Sequence, residues 1–320
     1  MPILRWLAVR IGGAIVTLIG VSVVVFVVLR AIPGDTITAS LGIESGTLTP
    51  QQRAALERFY GIDKPWYNQL ASWFDGIGHG RLGVSLTSGK SVTGLLRTAL
   101  PVTIELAVLA AIVGTVVGVL LGVLAGARPG KATDGVTQGV ALLGLAIPEF
   151  VLGSALVAIL AQAFHYFPDT GTFVSLTSSF SGNMGQILYP ALVLAVPFAA
   201  NVMRATRSEF AELAAADYVR TARGKGLAPT RIRFQHILRN ASIPILTLTG
   251  IQFGYLLGGT VIVEQIFALP GLGRLLFTSI SNRDYPVVQA TVLVVAVLFV
   301  LVNLVVDVLY RVLDPRTRTT

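Results

Sequence analysis

The chain has 320 residues, of which 53% are hydrophobic and only 12% are charged, whereas soluble domains carry about 25% charged residues. Its mean hydropathy of +0.75 arises from long apolar blocks, which a bilayer accommodates and a soluble core does not. The net charge of +8 does not indicate a nucleic-acid binder, because the basic residues lie at the ends of the apolar blocks. With no cysteine and three widely separated histidines, the sequence excludes disulfides, thiolate chemistry and a recognisable metal-ligand motif.

Six stretches are long and apolar enough to be membrane helices, since a helix needs about 20 apolar residues to cross the hydrocarbon core. Pro148 interrupts the third stretch, and Pro190 and Pro197 lie within the short fourth one. Membrane helices tolerate such prolines better than soluble helices do. The predicted spans are residues 11–32, 102–127, 136–164, 187–202, 243–263 and 287–309.

The distribution of positive charge predicts the orientation. Six spans place both termini on one side, and with the termini in the cytoplasm the inner segments hold 15 of the 24 Lys and Arg residues. Because cytoplasmic loops carry the excess of positive charge, we expect both termini inside. The chain then divides into an N-terminus with the first span (1–32), an extracytoplasmic subregion (33–96), a five-helix transmembrane domain (97–310) and a cytoplasmic tail (311–320).

The extracytoplasmic subregion begins with a helix signal. Thr49 is a typical N-cap, Pro50 suits the first helical position, and Gln52 completes a capping box. The aromatic residues that follow, Trp66 among them, are typical of a membrane interface. Two interpretations remain open: a cap lying on the outer leaflet, or a platform for an external partner.

Two glycine-rich segments resemble phosphate loops without matching one. Residues 83–91 have one residue too many between the glycines for the G-x-x-x-x-G-K-[ST] pattern, and they lie outside the cell in the predicted topology. Residues 126–131 are too short and lack the hydroxyl residue. No Ser-His-Asp or paired-carboxylate pattern indicates an enzyme. We therefore expect no ATP binding or catalysis by this chain, and any energy source must be a partner.

The segment 204–240 between the fourth and fifth spans is basic and compact. Two short helices are predicted, over 205–223 and 229–240, separated by Gly224, Gly226 and Pro229. One interpretation is a docking element for another protein. The other is a positively charged loop that only fixes the topology.

This segment resembles a known family. Asp-Tyr-Val-Arg-Thr-Ala-Arg-Gly-Lys-Gly-Leu at 217–227, followed by His-Ile-Leu-Arg-Asn-Ala at 236–241, is similar to the coupling-loop signature of dipeptide, oligopeptide and nickel ABC importer permeases, in their B-type subunit. Residues 29–35, 60–65, 263–273 and 283–286 resemble further elements of the same family. Arg220 and Thr221 stand where the general importer motif has Glu-Ala, and Arg239 replaces its Pro, as is typical of the peptide branch.

The resemblance implies an all-α integral membrane protein with six transmembrane helices in the type I ABC importer permease fold, located in the bacterial inner membrane. It implies a homologous second permease subunit, two ATPase subunits or a fused pair that bind ATP and Mg, and an extracytoplasmic binding protein. This chain itself is expected to bind no cofactor and no metal. The residues implied to dock on the ATPase are Asp217, Tyr218, Arg220, Thr221, Ala222, Arg223, Lys225 and Gly226. Among these, Gly226 is expected to avoid a steric clash at a turn, and the cations to meet acidic groups.

Other polar residues are candidates for the solute path and for the outer partner. Charges inside a membrane are costly and often functional, so Glu149 beside Pro148 is the main candidate for lining the path, either meeting a peptide amine or contacting the sister subunit. Asn201 and Gln252 are further candidates, whereas Glu105 and Asp307 near the interfaces are expected to be structural. The outer loop before the last span offers contacts for the binding protein at Glu264, Phe267, Pro270, Gly271, Arg283 and Asp284.

Short peptides are the expected solute, and nickel or another small solute is the alternative within the same architecture. An ion-coupled secondary carrier is a different possibility, for which we find no internal repeat of broken helices.

Overall fold

The computed structural model describes residues 3–31, 49–60, 63–168 and 173–313, and the regular structure in these ranges is helical. The β pairing within them is limited to an isolated antiparallel bridge between Val84 and Ser91. The prediction of an all-α protein is therefore confirmed. The helices are α1 (Ile3–Ala31), α2 (Pro50–Tyr60), α3 (Trp66–Gly78), α4 (Val92–Gly126), α5 (Ala132–Ala146), α6 (Glu149–Phe164), α7 (Phe180–Ala214), α8 (Asp217–Gly224), α9 (Pro229–Arg231), α10 (Arg239–Ile266), α11 (Leu272–Ser281) and α12 (Tyr285–Leu313).

Six predicted membrane spans have helical counterparts of sufficient length and hydropathy. Five are single helices, α1, α4, α7, α10 and α12, where α10 is continuous with the helical segment that starts at Pro229. The sixth is the pair α5 and α6, which bend by 96° at a break of two residues, Ile147 and Pro148. Pro148 is the cause, because it has no N–H to continue the ladder and disfavours helical backbone at the residue before it.

The second and fourth spans are longer than predicted. The helix α4 starts at Val92 and continues through Pro101, and α7 has 35 residues and contains both Pro190 and Pro197. At Pro197 the side chain of Asn201 donates to the carbonyl oxygen at 3.2 Å. The predicted second span started after Pro101 and missed the first turns of α4, whereas the predicted fourth span contained both prolines and was too short at each end. Neighbouring side chains and helices in a membrane protein supply partners for backbone groups that proline frees.

The helices predicted within the cytoplasmic segment were placed incorrectly. The predicted helix over 205–223 is divided, because α7 runs to Ala214 and a new helix, α8, begins at Asp217 after an extended Ala216. The predicted helix over 229–240 is the start of a longer one that continues into α10. Alanine is a strong helix former, so the sequence carries no local signal for the break.

By their internal contacts the described residues form two compact units, one comprising residues 103–168, 173–269 and 301–313, the other residues 3–31, 49–60, 63–102 and 270–300. The first unit is organised by close packing of α4 on α7. A Cβ added to Gly114, Gly118, Gly122 or Gly126 would lie 2.6, 2.7, 2.5 or 2.9 Å from an atom of α7. A glycine at every fourth position thus lets two membrane helices approach closely, which is the usual basis of helix association in lipid.

The second unit is held by two apolar clusters. One buries Val92, Leu96 and Ala99 of α4 with Leu272, Val287 and Ala290. The other packs Leu29 near the end of α1 on Tyr285 and Val288.

The predicted capping box at the start of α2 is confirmed, since Thr49 N donates to Gln52 Oε1 at 2.9 Å and Gln52 N donates to Thr49 Oγ1 at 3.3 Å.

Candidate functional site

The short helix α8 is amphipathic and is anchored by its apolar side. Val219 and Ala222 are buried with Phe210 of α7 and with Ile232 and Ile237. Full burial of a side chain such as Val219 contributes about 1.5–3 kcal/mol. The apolar cluster therefore fixes α8 to the end of α7 and to the chain that enters α10.

The opposite side of α8 is exposed and basic. Tyr218 donates a 3.4 Å hydrogen bond to the His236 carbonyl oxygen, and Arg220 bonds Asp217 within the same turn. Seven of the eight residues predicted to dock on a partner are exposed, namely Asp217, Tyr218, Arg220, Thr221, Arg223, Lys225 and Gly226. Ala222 is the exception, because it points into the anchoring cluster, and its role is to hold α8 in place.

Gly226 follows α8 with a φ of +75°, in the left-handed region that favours glycine. Apart from its chain neighbours, a Cβ at this position would meet nothing within 4 Å. The expected turn is present, and glycine suits it because a side chain would be strained in this backbone conformation. The turn directs the chain from α8 towards α10.

A π-helix of seven residues, Ile232–Leu238, joins the α8 region to α10. It carries two members of the anchoring cluster, Ile232 and Ile237. Helices of this type are rare and usually mark functional positions. After the turn at residues 225–228, a continuous helical segment that begins at Pro229 and includes the π-helix thus connects the anchored α8 to α10.

A buried acid that the sequence analysis missed lies close to the same end of α7. Asp134 accepts hydrogen bonds from Gly130 N at 2.8 Å, Gln138 Nε2 at 2.9 Å, Arg207 Nε at 2.5 Å and Arg207 Nη2 at 2.8 Å. The paired geometry of a guanidinium and a carboxylate is among the stronger polar contacts in proteins. It fastens the turn between α4 and α5 to α7.

The three residues predicted to line the path lie on helices that pack on one another, α6, α7 and α10. Glu149 is the first residue of α6, and its carboxylate lies against Gly259 of α10, where an added Cβ would be 2.7 Å from Oε2. Gln252 precedes Gly259 by two helical turns and shares its side of α10. Glu149, Asn201 and Gln252 are all half-buried.

Two other acids in this unit have partners. Glu105 Oε2 accepts from Asn183 Nδ2 at 2.9 Å, which supports its structural interpretation. Glu264 is fully buried, and its Oε1 accepts from Thr103 Oγ1 at 2.6 Å. This pair joins the end of α10 to α4.

Burial changes the expectation for the outer loop before the last span. Glu264, Phe267, Gly271 and Asp284 are buried, so their side chains offer no surface to a partner in this conformation. Pro270 is exposed and Arg283 is half-buried, so a contact with a binding protein stays a prediction for these two residues. The four buried residues therefore belong to the packed interior of the protein.

Asp284 has a defined structural partner, the segment 83–91 that resembles a phosphate loop. Its carboxylate accepts from Ser85 Oγ at 2.5 Å, Leu86 N at 3.1 Å, and Thr87 N and Oγ1 at 3.4 and 2.9 Å. The amides and hydroxyls of the loop do surround an anion, as in a phosphate site. The anion is a carboxylate of the same chain.

This chain matches known proteins along nearly its whole length. Residues 118–319 match the family described as "Binding-protein-dependent transport system inner membrane component", and residues 3–107 match the N-terminal region of the corresponding membrane component. The chain is 38% identical over 334 residues to the di/tripeptide transport system permease protein DppB of Pseudomonas aeruginosa, covering 98% of this chain and 99% of that protein. It is 34% identical over 315 residues to the glutathione transport system permease protein GsiC of Escherichia coli, with coverage of 98% and 99%.

Among solved structures, the chain is similar to the inward-facing MetNI methionine ABC transporter. One such structure aligns with a TM-score of 0.55 and 18% identity, over 69% of this chain and 96% of that one. A second form of the same transporter gives a TM-score of 0.57 at 17% identity, with the same coverage. These alignments confirm the type I importer permease fold.

Proposed function

The chain belongs to the family of binding-protein-dependent transport system inner membrane components, and from this premise we propose that it forms half of the translocation path for short peptides. It is a multi-pass membrane protein and a permease subunit of an ABC importer, not an enzyme. The permeases that it resembles at 38% and 34% identity are named for di/tripeptide and glutathione transport. Small peptides are accordingly the solute class that we assign.

The proposed mechanism rests on the two different sides of α8. One side is fixed to α7 and to the π-helix by Val219 and Ala222, while the other presents exposed Arg220 and Arg223. We assign the exposed side to an ATPase subunit in the cytoplasm, which binds ATP and Mg. Docking of this kind requires a helix that is fixed to the permease on one side and exposes charged groups on the other. The helix α8 has both.

Alternating access follows from the helices that α8 joins. Movement of a docked α8 is transmitted to α7 through Phe210 and to α10 through the π-helix, because these elements share one apolar cluster. The helices α7 and α10 also carry Asn201 and Gln252, which we assign to the path. A rigid contact at the membrane surface thereby changes the positions of path residues, as in two-state transport mechanisms.

The remaining components are a second permease subunit and an extracytoplasmic binding protein that delivers the peptide. In the proposed orientation both termini are cytoplasmic, and residues 33–96 with the loop at Pro270 and Arg283 lie outside. The exposed aromatic residues of α3, Trp66 and Tyr67, support an interfacial position for this helix. The basic residues concentrated around α8 support its cytoplasmic position.

Charge reversal on α8 tests the proposal. In the double variant Arg220→Glu and Arg223→Glu, we expect normal membrane insertion, because both side chains are exposed, but loss of the ATPase subunits from the purified complex. The matched control is Lys90→Glu, an exposed reversal in the segment 83–91, which should retain them. Co-purification in detergent is the measurement, and retention of the ATPase by the double variant contradicts docking through α8.

A further inference from the structure

Glu149 differs from Glu105 and Glu264, two other acids of the membrane helices, in having no protein partner among the described residues. Glu105 bonds Asn183, and Glu264 bonds Thr103. The Glu149 carboxylate makes no hydrogen bond or ion pair with any of the described residues, although the side chain is half-buried. Burial of a charge in a membrane protein is costly and is retained where the charge has a use.

The position of the carboxylate is defined by a glycine. A Cβ on Gly259 would lie 2.7 Å from Oε2 and 3.1 Å from Oε1 of Glu149, so a side chain at this position would displace the carboxylate. Glycine at 259 therefore allows the carboxylate its present position. An added Cβ on the adjacent Gly258 would meet nothing within 4 Å.

Exposed aromatic side chains occur on the same two helices. Tyr255 precedes Gly259 by one turn on the same side of α10 and is 69% exposed, and Phe150 follows Glu149 in sequence and is 52% exposed. Carboxylates attract an ammonium group directly, and ring faces attract it through their quadrupoles.

The chain supplies no counter-ion from the helices that hold the acid. Neither α5 nor α6 contains a lysine, arginine or histidine. The nearest lysine or arginine on α10 is Arg239, 20 residues before Gly259, which is about 30 Å along a helix. On α7, which packs on α6, Arg207 is engaged by Asp134, and Arg204 lies three residues before Arg207 in the cytoplasmic third of the helix.

We propose that Glu149 is the binding site for a cationic group of the solute during passage, and that its ligand is the α-ammonium group of a short peptide. The inference rests on the proposed function, because the α-ammonium is the cation that all unmodified short peptides share. A cation of the second permease subunit is the competing occupant, and the experiment separates the two.

The first arm measures ATP-dependent uptake of labelled trialanine by the complete transporter in vesicles. Glu149→Gln keeps the size of the side chain and removes the charge, and we expect uptake to fall at least about fivefold, the scale of one ion pair. Glu149→Asp should retain part of the activity. Glu209→Gln, which neutralises a half-buried acid of α7, is the matched control and should transport at the wild-type rate.

The second arm measures how Glu149 affects the charge preference of a reagent that reacts near it. Because the chain has no cysteine, Gly258→Cys introduces a unique thiol one residue from Gly259, against which the carboxylate lies. We expect it to react faster with a cationic than with an anionic methanethiosulfonate reagent, and the ratio of the two rates to fall at least about threefold when Glu149→Gln is added. Trialanine should slow the cationic reaction, whereas N-acetyltrialanine should not.

The outcomes are distinct. Absence of trialanine uptake by the wild-type transporter contradicts the proposed function itself. Normal wild-type uptake with an unchanged Glu149→Gln rate, or with equal labelling ratios, overturns the inference alone. Loss of the second permease subunit from the Glu149→Gln complex overturns it in favour of a subunit contact.

Discussion

Asp284 and Glu149 are acids of one chain in opposite surroundings. The Asp284 carboxylate is 1% exposed and is surrounded by donors from Ser85, Leu86 and Thr87. The Glu149 carboxylate lies in a gap at Gly259 and accepts no hydrogen bond from the described residues. An acid whose donors all come from its own chain stabilises the structure. An acid without such donors costs stability and remains available for a ligand that arrives from outside.

The largest effect on stability is expected from Asp284→Ala. Without the carboxylate, the buried Ser85 hydroxyl and the Leu86 amide lose their acceptor, and a buried unsatisfied donor costs about 1–3 kcal/mol. We expect the purified protein to unfold several degrees below the wild type when heated in detergent. Asp63→Ala, at an exposed acid, is the control and should change the midpoint little. Equal unfolding midpoints for Asp284→Ala and Asp63→Ala would show that Asp284 does not stabilise the structure, and the contrast with Glu149 would then not hold.

A smaller loss is expected from Asp134→Asn. The amide keeps the size of the side chain, but it replaces one acceptor oxygen with a donor and so cannot accept both bonds from Arg207. The turn at Gly130 loses part of its attachment to α7. Arg207→Ala should lower the midpoint similarly, and the double variant should add little, since both changes remove the same contact. Fully additive effects would contradict the pairing.

The smallest effect, and one of opposite sign, is expected from Glu149→Gln. A half-buried charge in a membrane helix is unfavourable, whereas an acid in the first turn of a helix is favourable, so the two effects oppose each other. Neutralising Glu149 should therefore leave the midpoint unchanged or raise it slightly while uptake falls. A lower midpoint would show that Glu149 has a structural partner, as Asp284 does.

The membrane architecture was predictable because it depends on local composition. Apolar blocks predicted the six spans, and Pro148 predicted the break in the third one. The starts and ends were less predictable, since α4 begins before Pro101 and α7 extends beyond the predicted span in both directions. The break at Ala215 and Ala216 had no sequence signal, because alanine is a strong helix former.

The site was predictable only where a motif is continuous in sequence. The basic segment that forms α8 carries its own signature. Asp284 and Ser85, by contrast, are 199 positions apart, and Asp134 and Arg207 are 73 positions apart. No local sequence pattern therefore predicts either pair. The near-match to a phosphate loop at 83–91 was the available signal for the Asp284 contact, since it indicated backbone donors facing an anion.

The most direct test of the central claim is the energy source of uptake by vesicles that contain this chain with its second permease and ATPase subunits. We predict that accumulation of labelled trialanine requires ATP and the binding protein, and continues after ion gradients are collapsed with ionophores. Accumulation that follows an ion gradient without ATP would contradict the account and indicate a secondary carrier.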